Sequence, residues 1–188
     1  MGKDVKPVQL NLGSGSTLLK DFINVDIAYK LKAKNYVEAD IRDLPFPDNY
    51  ADYILARQVL EHIPFLNVMN TLVEWVRVLK PGGRMVITCP NFNLMCQDFL
   101  NTEFNFQDFY EASKGFYGNQ SHEHDFHITP INPEFLTYLL GQLPVKGTIK
   151  SYSRGSECVS YPGYKFPKGH VYRFGEIHAD VTKWDKQS

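Results

Sequence analysis

The sequence predicts an α/β fold: a doubly wound, mostly parallel sheet with a C-terminal antiparallel strand. Three observations carry this reading. In the first half, short apolar runs alternate with helical or turn-rich segments, as parallel strands and their crossovers require. A glycine pair, Gly13 and Gly15, closes the first run. Between two later runs, residues 66–79 have a clear helical period.

The elements follow in order. Residues 8–12 read as a first strand that ends in Asn11-Leu12-Gly13-Ser14-Gly15, and residues 22–27 as a second with Asp26 at its end. Residues 36–38 form a short third strand running into Ala39-Asp40-Ile41, and residues 51–56 form a fourth after the turn at Pro45-Phe46-Pro47-Asp48-Asn49. Leu66, Met69, Leu72, Val73, Val76 and Leu79 then recur at three- and four-residue steps, one apolar helix face. Lys80-Pro81-Gly82-Gly83 stops that helix, because proline cannot continue it and glycine accepts positive φ. Residues 84–89 are a fifth strand. Residues 93–100 read as a helix, and 101–130 as an aromatic, His-rich, loop-rich insertion or lid without clear period. Asn132-Pro133-Glu134 opens a helix through Leu140, with proline in its first turn. Residues 148–152 and 171–177 are the last two strands. With no repeat and no linker, the reading is one domain over 1–188: a core over 8–90, an acceptor-side insertion over 101–130, and a C-terminal helix and strands over 131–180.

Composition narrows the classes. The 188 residues are 43% hydrophobic and 22% charged, with 13 Phe and 11 Tyr; this suffices for one core and is unlike a disordered chain. A formal net charge of −1 carries no signature of nucleic-acid binding. Residues 146–188 hold more Lys and Arg than acid, which reads as solvated surface. Cys89, Cys96 and Cys158 lack the paired spacing of a zinc or redox motif, and reduced thiols fit a cytoplasmic protein. Residues 1–9 have no apolar stretch for a signal peptide, and no run approaches the ~20 residues of a membrane span. No membrane partner is expected, and the oligomeric state is open.

A doubly wound sheet binds its ligand beyond the carboxyl ends of its strands. Gly13 and Gly15, Asp26, Asp40, and Arg57-Gln58 all fall at such ends. Glycines let the backbone approach a ligand closely. An aspartate after the second strand accepts hydrogen bonds from both hydroxyls of a ribose. Asp40 accepts from the adenine amine, and the Ile41 amide serves a ring nitrogen. The dinucleotide fingerprint needs a third glycine, where this chain has Leu18, and about 20 residues before its acid. Here Asp26 comes 11 residues after Gly15, which leaves little room for a helix to hold a pyrophosphate. A phosphate-free adenosine ligand, S-adenosylmethionine (SAM), meets these constraints.

Four blocks then carry a family resemblance. Leu10-Asn11-Leu12-Gly13-Ser14-Gly15 with Phe22-Ile23-Asn24-Val25-Asp26-Ile27, Ala39-Asp40-Ile41-Arg42-Asp43-Leu44-Pro45-Phe46, Val59-Leu60-Glu61-His62-Ile63, and Trp75-Val76-Arg77-Val78-Leu79-Lys80-Pro81-Gly82-Gly83 occur in that order. They resemble the compact class I SAM-dependent methyltransferases, whose fold is Rossmann-like. The resemblance implies that Gly13, Ser14 and Gly15 line the methionine–ribose side of SAM and that Asp26, with Ile27, binds the ribose. It implies Asp40 and Ile41 at adenine, Arg57 and its neighbours at the methionine amino end mainly through backbone, and His62 at the cleft rim. The chain departs from the family pattern at Asn11, where an acid is common, and at Thr17, where a small residue is.

Ser121-His122-Glu123-His124-Asp125-Phe126-His127 concentrates metal-type side chains. No second ligand cluster accompanies it, so it reads as a polar lid and no metal is expected. Methyl transfer mainly needs alignment of a nucleophile with an already activated sulfonium. An oxygen or nitrogen acceptor is also helped by a nearby base, for which His124, His127 and Tyr117 are the candidates. The aromatics of 92–126, Phe104 among them, suit a wall for a flat or apolar acceptor and suit a hydrophobic core equally. The expected activity is methyl transfer from SAM to a small-molecule or sugar-metabolite acceptor at O or N. The competing reading is a SAM- or adenosine-binding module without turnover, acting as regulator or partner.

Overall fold

The computed structural model describes residues 6–101, 105–162 and 164–184. Phe104 lies outside them. Seven strands form one sheet: β1 (Gln9–Leu12), β2 (Ile23–Asp26), β3 (Tyr36–Glu38), β4 (Ala51–Arg57), β5 (Leu79–Pro90), β6 (Val145–Tyr152) and β7 (Glu176–Lys183). Their order across the sheet is β3-β2-β1-β4-β5-β7-β6. Pairs from β3 to β5 are parallel, and β7 runs antiparallel to both of its neighbours. The order reverses between β1 and β4, so a crevice opens beyond the tips of those strands.

Alternation along the strands assigns the two faces. Leu10, Leu12, Ile54, Ala56, Met85 and Ile87 join one core with Val68, Leu72, Trp75 and Val76 of α1 (Phe65–Val78) and Leu136, Leu139 and Leu140 of α4 (Pro133–Gly141). Tyr53, Leu55 and Val86 face the other way, against Phe22 and Tyr161. Loop segments rather than helices cover that second face. None of residues 13–22, which join β1 to β2, is helical. The polar side chains of Asn11 and Asn24 stand in for the missing helix. Asn24 is fully buried; its Oδ1 accepts from Leu19 N at 2.8 Å and Asn11 Nδ2 at 2.9 Å, and its Nδ2 faces the carbonyls of Leu19, Phe22 and Asn35.

Helix α1 ends at Val78, where the chain turns directly into β5. Residues 80–83 bulge out, because Ala51 pairs with Leu79 while Tyr53 already pairs with Arg84, and Gly82 takes φ +76°. Helix α4 starts as its sequence proposed: Asn132 is the N-cap, its side chain accepts from Phe135 N at 2.7 Å, and Pro133 holds the first position. Asn132→Ala should lower stability by about 1 kcal/mol, read as a shift in the urea midpoint at unchanged slope.

Two expectations are corrected. The aperiodic 101–130 stretch contains a helix, α3 (Phe106–Tyr117), capped by the Asn105 side chain accepting from Asp108 N at 2.9 Å, while residues 118–130 hold no helix or strand. Helix α3 packs on α2 (Phe92–Asn101) through Phe99, Phe109 and Phe116. The last strand is not 171–177 but β7. Ile177, Ala179 and Val181 alternate inward there, and period-two burial outweighs the denser apolar content of residues 171–174. No helix among the described residues is long and apolar enough to cross a membrane.

Candidate active site

The carboxyl ends of β1, β2 and β4 open onto a cleft of about 500 Å³. Its floor is the bend after β1, where Gly13 and Gly15 take φ +63° and +55°. A Cβ on Gly13 would lie 2.2 Å from Val59 Cγ2, so only glycine lets β4's continuation pack there. Asp26 ends β2 and is buried to 8% exposure. It accepts from Gly15 N at 2.8 Å and Ala28 N at 2.7 Å. These two bonds fix the bend and leave further lone pairs on each carboxylate oxygen.

Ile27, Ala28 and Tyr29 continue the wall, and Asp40, Ile41 and Arg42 form its far end. The Ile41 carbonyl is held by the indole of fully buried Trp75 at 2.9 Å. Arg42 donates to Asp40 through its backbone and guanidinium at 2.6–3.0 Å, and these bonds hold the Asp40 carboxyl below its usual range. On the β4 side the lining residue is Gln58, in the left-handed region at φ +52°. Its Nε2 is buried without a partner among the described residues. Arg57 points to the other face of the sheet by strand alternation, where its guanidinium lies 4.4 Å from the Tyr164 ring centre. Ser14 is buried beside the bend, with its hydroxyl 3.3 Å from the Gly15 carbonyl, and does not line the cleft.

The His-rich segment is buckled over this cleft by the Leu60-Glu61-His62-Ile63 turn. Ile128 N and Thr129 N donate to the Glu61 carbonyl at 2.9 and 3.1 Å, and His62 Nδ1 meets the Phe126 carbonyl at 3.0 Å. The three histidines of the segment part company. His122 packs edge-on to Tyr29, with ring centres 5.5 Å apart. His124 lines the cleft with its side chain about half exposed. His127 turns inward, its Nδ1 2.7 Å from the Gly115 carbonyl and its ring edge-on to His62. Burial and the neighbouring His127 push the His62 pKa down to about 4, and burial also lowers that of His127. Both rings are therefore neutral at pH 7. Glu61 is 2% exposed, neither of its carboxylate oxygens has a hydrogen-bond partner, and burial raises its pKa to about 8.

Two further cavities lie behind the cleft. One of about 140 Å³ is lined by Glu61, His127, Phe116, Tyr117 and Met95 and shares Ile128 with the cleft. It shares Met95 and Phe116 with a larger cavity of about 650 Å³ between α2, α3 and residues 154–155 and 171–174, whose walls include Phe99, Phe109 and Tyr172. The aromatic stretch noted in the sequence thus surrounds two neighbouring cavities that lie behind the wall of the cleft.

Residues 12–87 match the family model for a methyltransferase domain. Backbone comparison shows a shared fold over nearly the whole chain: a SAM-dependent methyltransferase from Methanosarcina mazei aligns over 95% of this chain and 92% of its own, with TM-score 0.63 at 15% identity. The chain has the class I SAM-dependent methyltransferase fold. The same methyltransferase fold is shared with the 1,6-didemethyltoxoflavin-N1-methyltransferase of Burkholderia thailandensis, solved with bound 1,6-didemethyltoxoflavin and S-adenosylhomocysteine, over 95% of this chain and 72% of that one (TM-score 0.56, 14% identity). Uncharacterized protein MJ0638 of Methanocaldococcus jannaschii is 35% identical over 117 residues, 57% of this chain and 48% of that protein. The aligned segment thus spans about half the length of that relative.

Of the residues singled out in the sequence, the methyltransferase fold brings Gly13, Gly15, Asp26, Ile27, Asp40, Ile41, His62 and His124 to one cleft. His127 lies just behind it, and Arg57 and Ser14 lie off it. Gln58, placed with Arg57 at the end of the fourth strand, lines the cleft as well, and so do Tyr29 and Val59, for which the sequence suggested no site role. Gln58 had a local signal, since the strand parity that buries Tyr53 and Leu55 on the far face sends Arg57 the same way. Tyr29 had none, because its place depends on the path of the chain after β2.

Proposed function

We propose that this chain is a SAM-dependent methyltransferase acting on a small molecule with a flat or apolar portion, at oxygen or nitrogen. The observation that carries the proposal is the convergence of the glycine bend, Asp26, Asp40–Ile41 and Gln58 on one cleft whose β1–β2 connection has no helix. A dinucleotide would lack its usual pyrophosphate site there, while the adenosine and amino-acid parts of SAM need none. In this reading Asp26 accepts from the ribose hydroxyls through its remaining lone pairs. Asp40 accepts from the adenine amine alongside Arg42, and the Ile41 backbone, braced by Trp75, flanks the ring. Gly13 and Gly15 let the chain close on the ribose and methionine carbons. The unpartnered Gln58 amide donates to the methionine carboxylate. SAM itself supplies the activated methyl group.

The acceptor enters from the aromatic cavities. Their apolar walls favour a ring system and keep water from the methyl group, and the smaller of them meets the cleft at Ile128. With its Nδ1 proton engaged by the Phe126 carbonyl, His62 carries its lone pair on Nε2. His124 offers a second, more exposed imidazole at the cleft.

Calorimetric titration with SAM and S-adenosylhomocysteine tests the cofactor, and methyl release over a panel of aromatic hydroxy and amino compounds tests turnover. Asp26→Ala should weaken S-adenosylhomocysteine binding about 10- to 100-fold, the loss of charge-assisted bonds worth roughly 1.5–3 kcal/mol. Wild-type affinity in a folded Asp26→Ala protein would remove the ribose assignment. Tight S-adenosylhomocysteine binding with no turnover on any acceptor would favour a regulatory binding module instead, and NAD binding in place of SAM would remove both.

A further inference from the structure

Behind the cleft, three side chains with lone pairs face one another and nothing between them supplies a proton. The Glu61 carboxylate is buried with both oxygens unpartnered. His62 and His127 each spend Nδ1 on a backbone carbonyl, of Phe126 at 3.0 Å and of Gly115 at 2.7 Å. A ring whose Nδ1–H donates to a carbonyl has its lone pair on Nε2, and this is the outer hydrogen bond that metal-binding histidines characteristically make. One ligand atom from each of the three residues lies within 4.8 Å of the others. Glu61 Oε1 and His127 Nε2 are 3.9 Å apart, too far for a direct hydrogen bond. Among the described residues a proton on Glu61 would therefore find no acceptor at bonding distance, and an ionised Glu61 would be a buried charge with no hydrogen-bonded cation.

We propose that Glu61, His62 Nε2 and His127 Nε2 bind a divalent transition-metal ion. A buried anion is neutralised by an ion seated among it and two imidazoles, and two nitrogens with one carboxylate are a donor set suited to Zn²⁺, Fe²⁺ or Mn²⁺. Bonds of ~2.1 Å put tetrahedral ligands roughly 3.4 Å apart, so the three side chains must close by on the order of 1 Å. The ion would sit in the wall between the cofactor cleft, lined by His62, and the 140 Å³ cavity, lined by Glu61 and His127. Three protein ligands leave at least one coordination position for water or for an oxygen of the acceptor. The site differs from the exposed His122–His124 cluster that the sequence brings to notice, and of that segment it uses only His127.

The test uses protein without a His tag, stripped with chelator and titrated with Co²⁺ as a visible probe and with Zn²⁺ by elemental analysis. One equivalent of each should bind, with the intensified Co²⁺ absorption of a low-coordinate site. Glu61→Gln and His127→Gln should each weaken Co²⁺ binding at least tenfold, while His124→Ala leaves it unchanged. Wild type loaded with Cu²⁺ should show electron paramagnetic coupling to two imidazole nitrogens, a readout that holds even if a variant fails to fold. Substoichiometric Co²⁺, Cu²⁺ without two-nitrogen coupling, or affinity lost on His124→Ala and kept in Glu61→Gln would each overturn the site. None of these readings depends on SAM binding or on turnover, so the metal site and the methyltransferase activity stand or fall separately.

Discussion

Gly13→Ala is expected to leave a folded protein that binds S-adenosylhomocysteine at least tenfold more weakly, a loss of ~1.4 kcal/mol or more. Two effects act together. The new methyl group would sit 2.2 Å from Val59 Cγ2 and 2.7 Å from Val59 Cβ, far inside van der Waals contact. The left-handed φ of +63° adds roughly 1–2 kcal/mol of strain for any side chain. The chain relieves the contact by moving either the bend or Val59, and both line the cleft. Truncating the partner checks the cause: Gly13→Ala with Val59→Ala should recover part of the affinity. A double variant no better than Gly13→Ala alone would show that the backbone conformation, and not Val59, sets the cost.

The second large effect is on stability. Asn24→Ala should destabilise the protein by about 3 kcal/mol, because it strands Leu19 N and Asn11 Nδ2 without their acceptor, removes the donor to three carbonyls, and leaves a small cavity. For a chain of this size that is a fall of roughly 6–12 °C in Tm. Asn24→Asp has nearly the same shape but offers no N–H to the carbonyls of Leu19, Phe22 and Asn35, and it adds a buried charge. It should be at least as destabilising at pH 7. An Asp variant close to wild type in a thermal melt would mean that shape alone holds the connection in place.

That same connection shows what a sequence discloses and what it conceals. The strands through β5 and the helix α1 were legible because their apolar residues follow periods of two or three to four, and Asn132-Pro133 marked the start of α4 chemically. Helix α3 was concealed although Phe106, Phe109, Tyr110, Ser113 and Phe116 have helical spacing. Gly115 and the surrounding aromatics blurred the contrast between its faces, and Phe106, Phe109 and Tyr110 are indeed exposed. Strand β7 was displaced in the reading for a related reason, since a polar partner at every second position looks weaker than the apolar run before it. In the candidate site, the glycines and aspartates stood out because they sit at strand ends. The Glu61–His62–His127 meeting is invisible in one dimension, because it joins residues 65 positions apart through a turn and a folded-back segment. Asn11, conspicuous as a departure from the family pattern, faces away from the cleft and binds Asn24 and the Thr17 carbonyl.

The ammonium of Lys183, the final residue of β7, donates to the carbonyls of Val76 and Leu79 and to Asn49 Oδ1. Helix α1 thus receives part of its C-terminal hydrogen bonding from a side chain more than a hundred residues downstream. During synthesis the first half emerges with these acceptors still turned to water. The order in which the chain is made therefore delays final locking of its longest helix until nearly all of the described sequence has been translated.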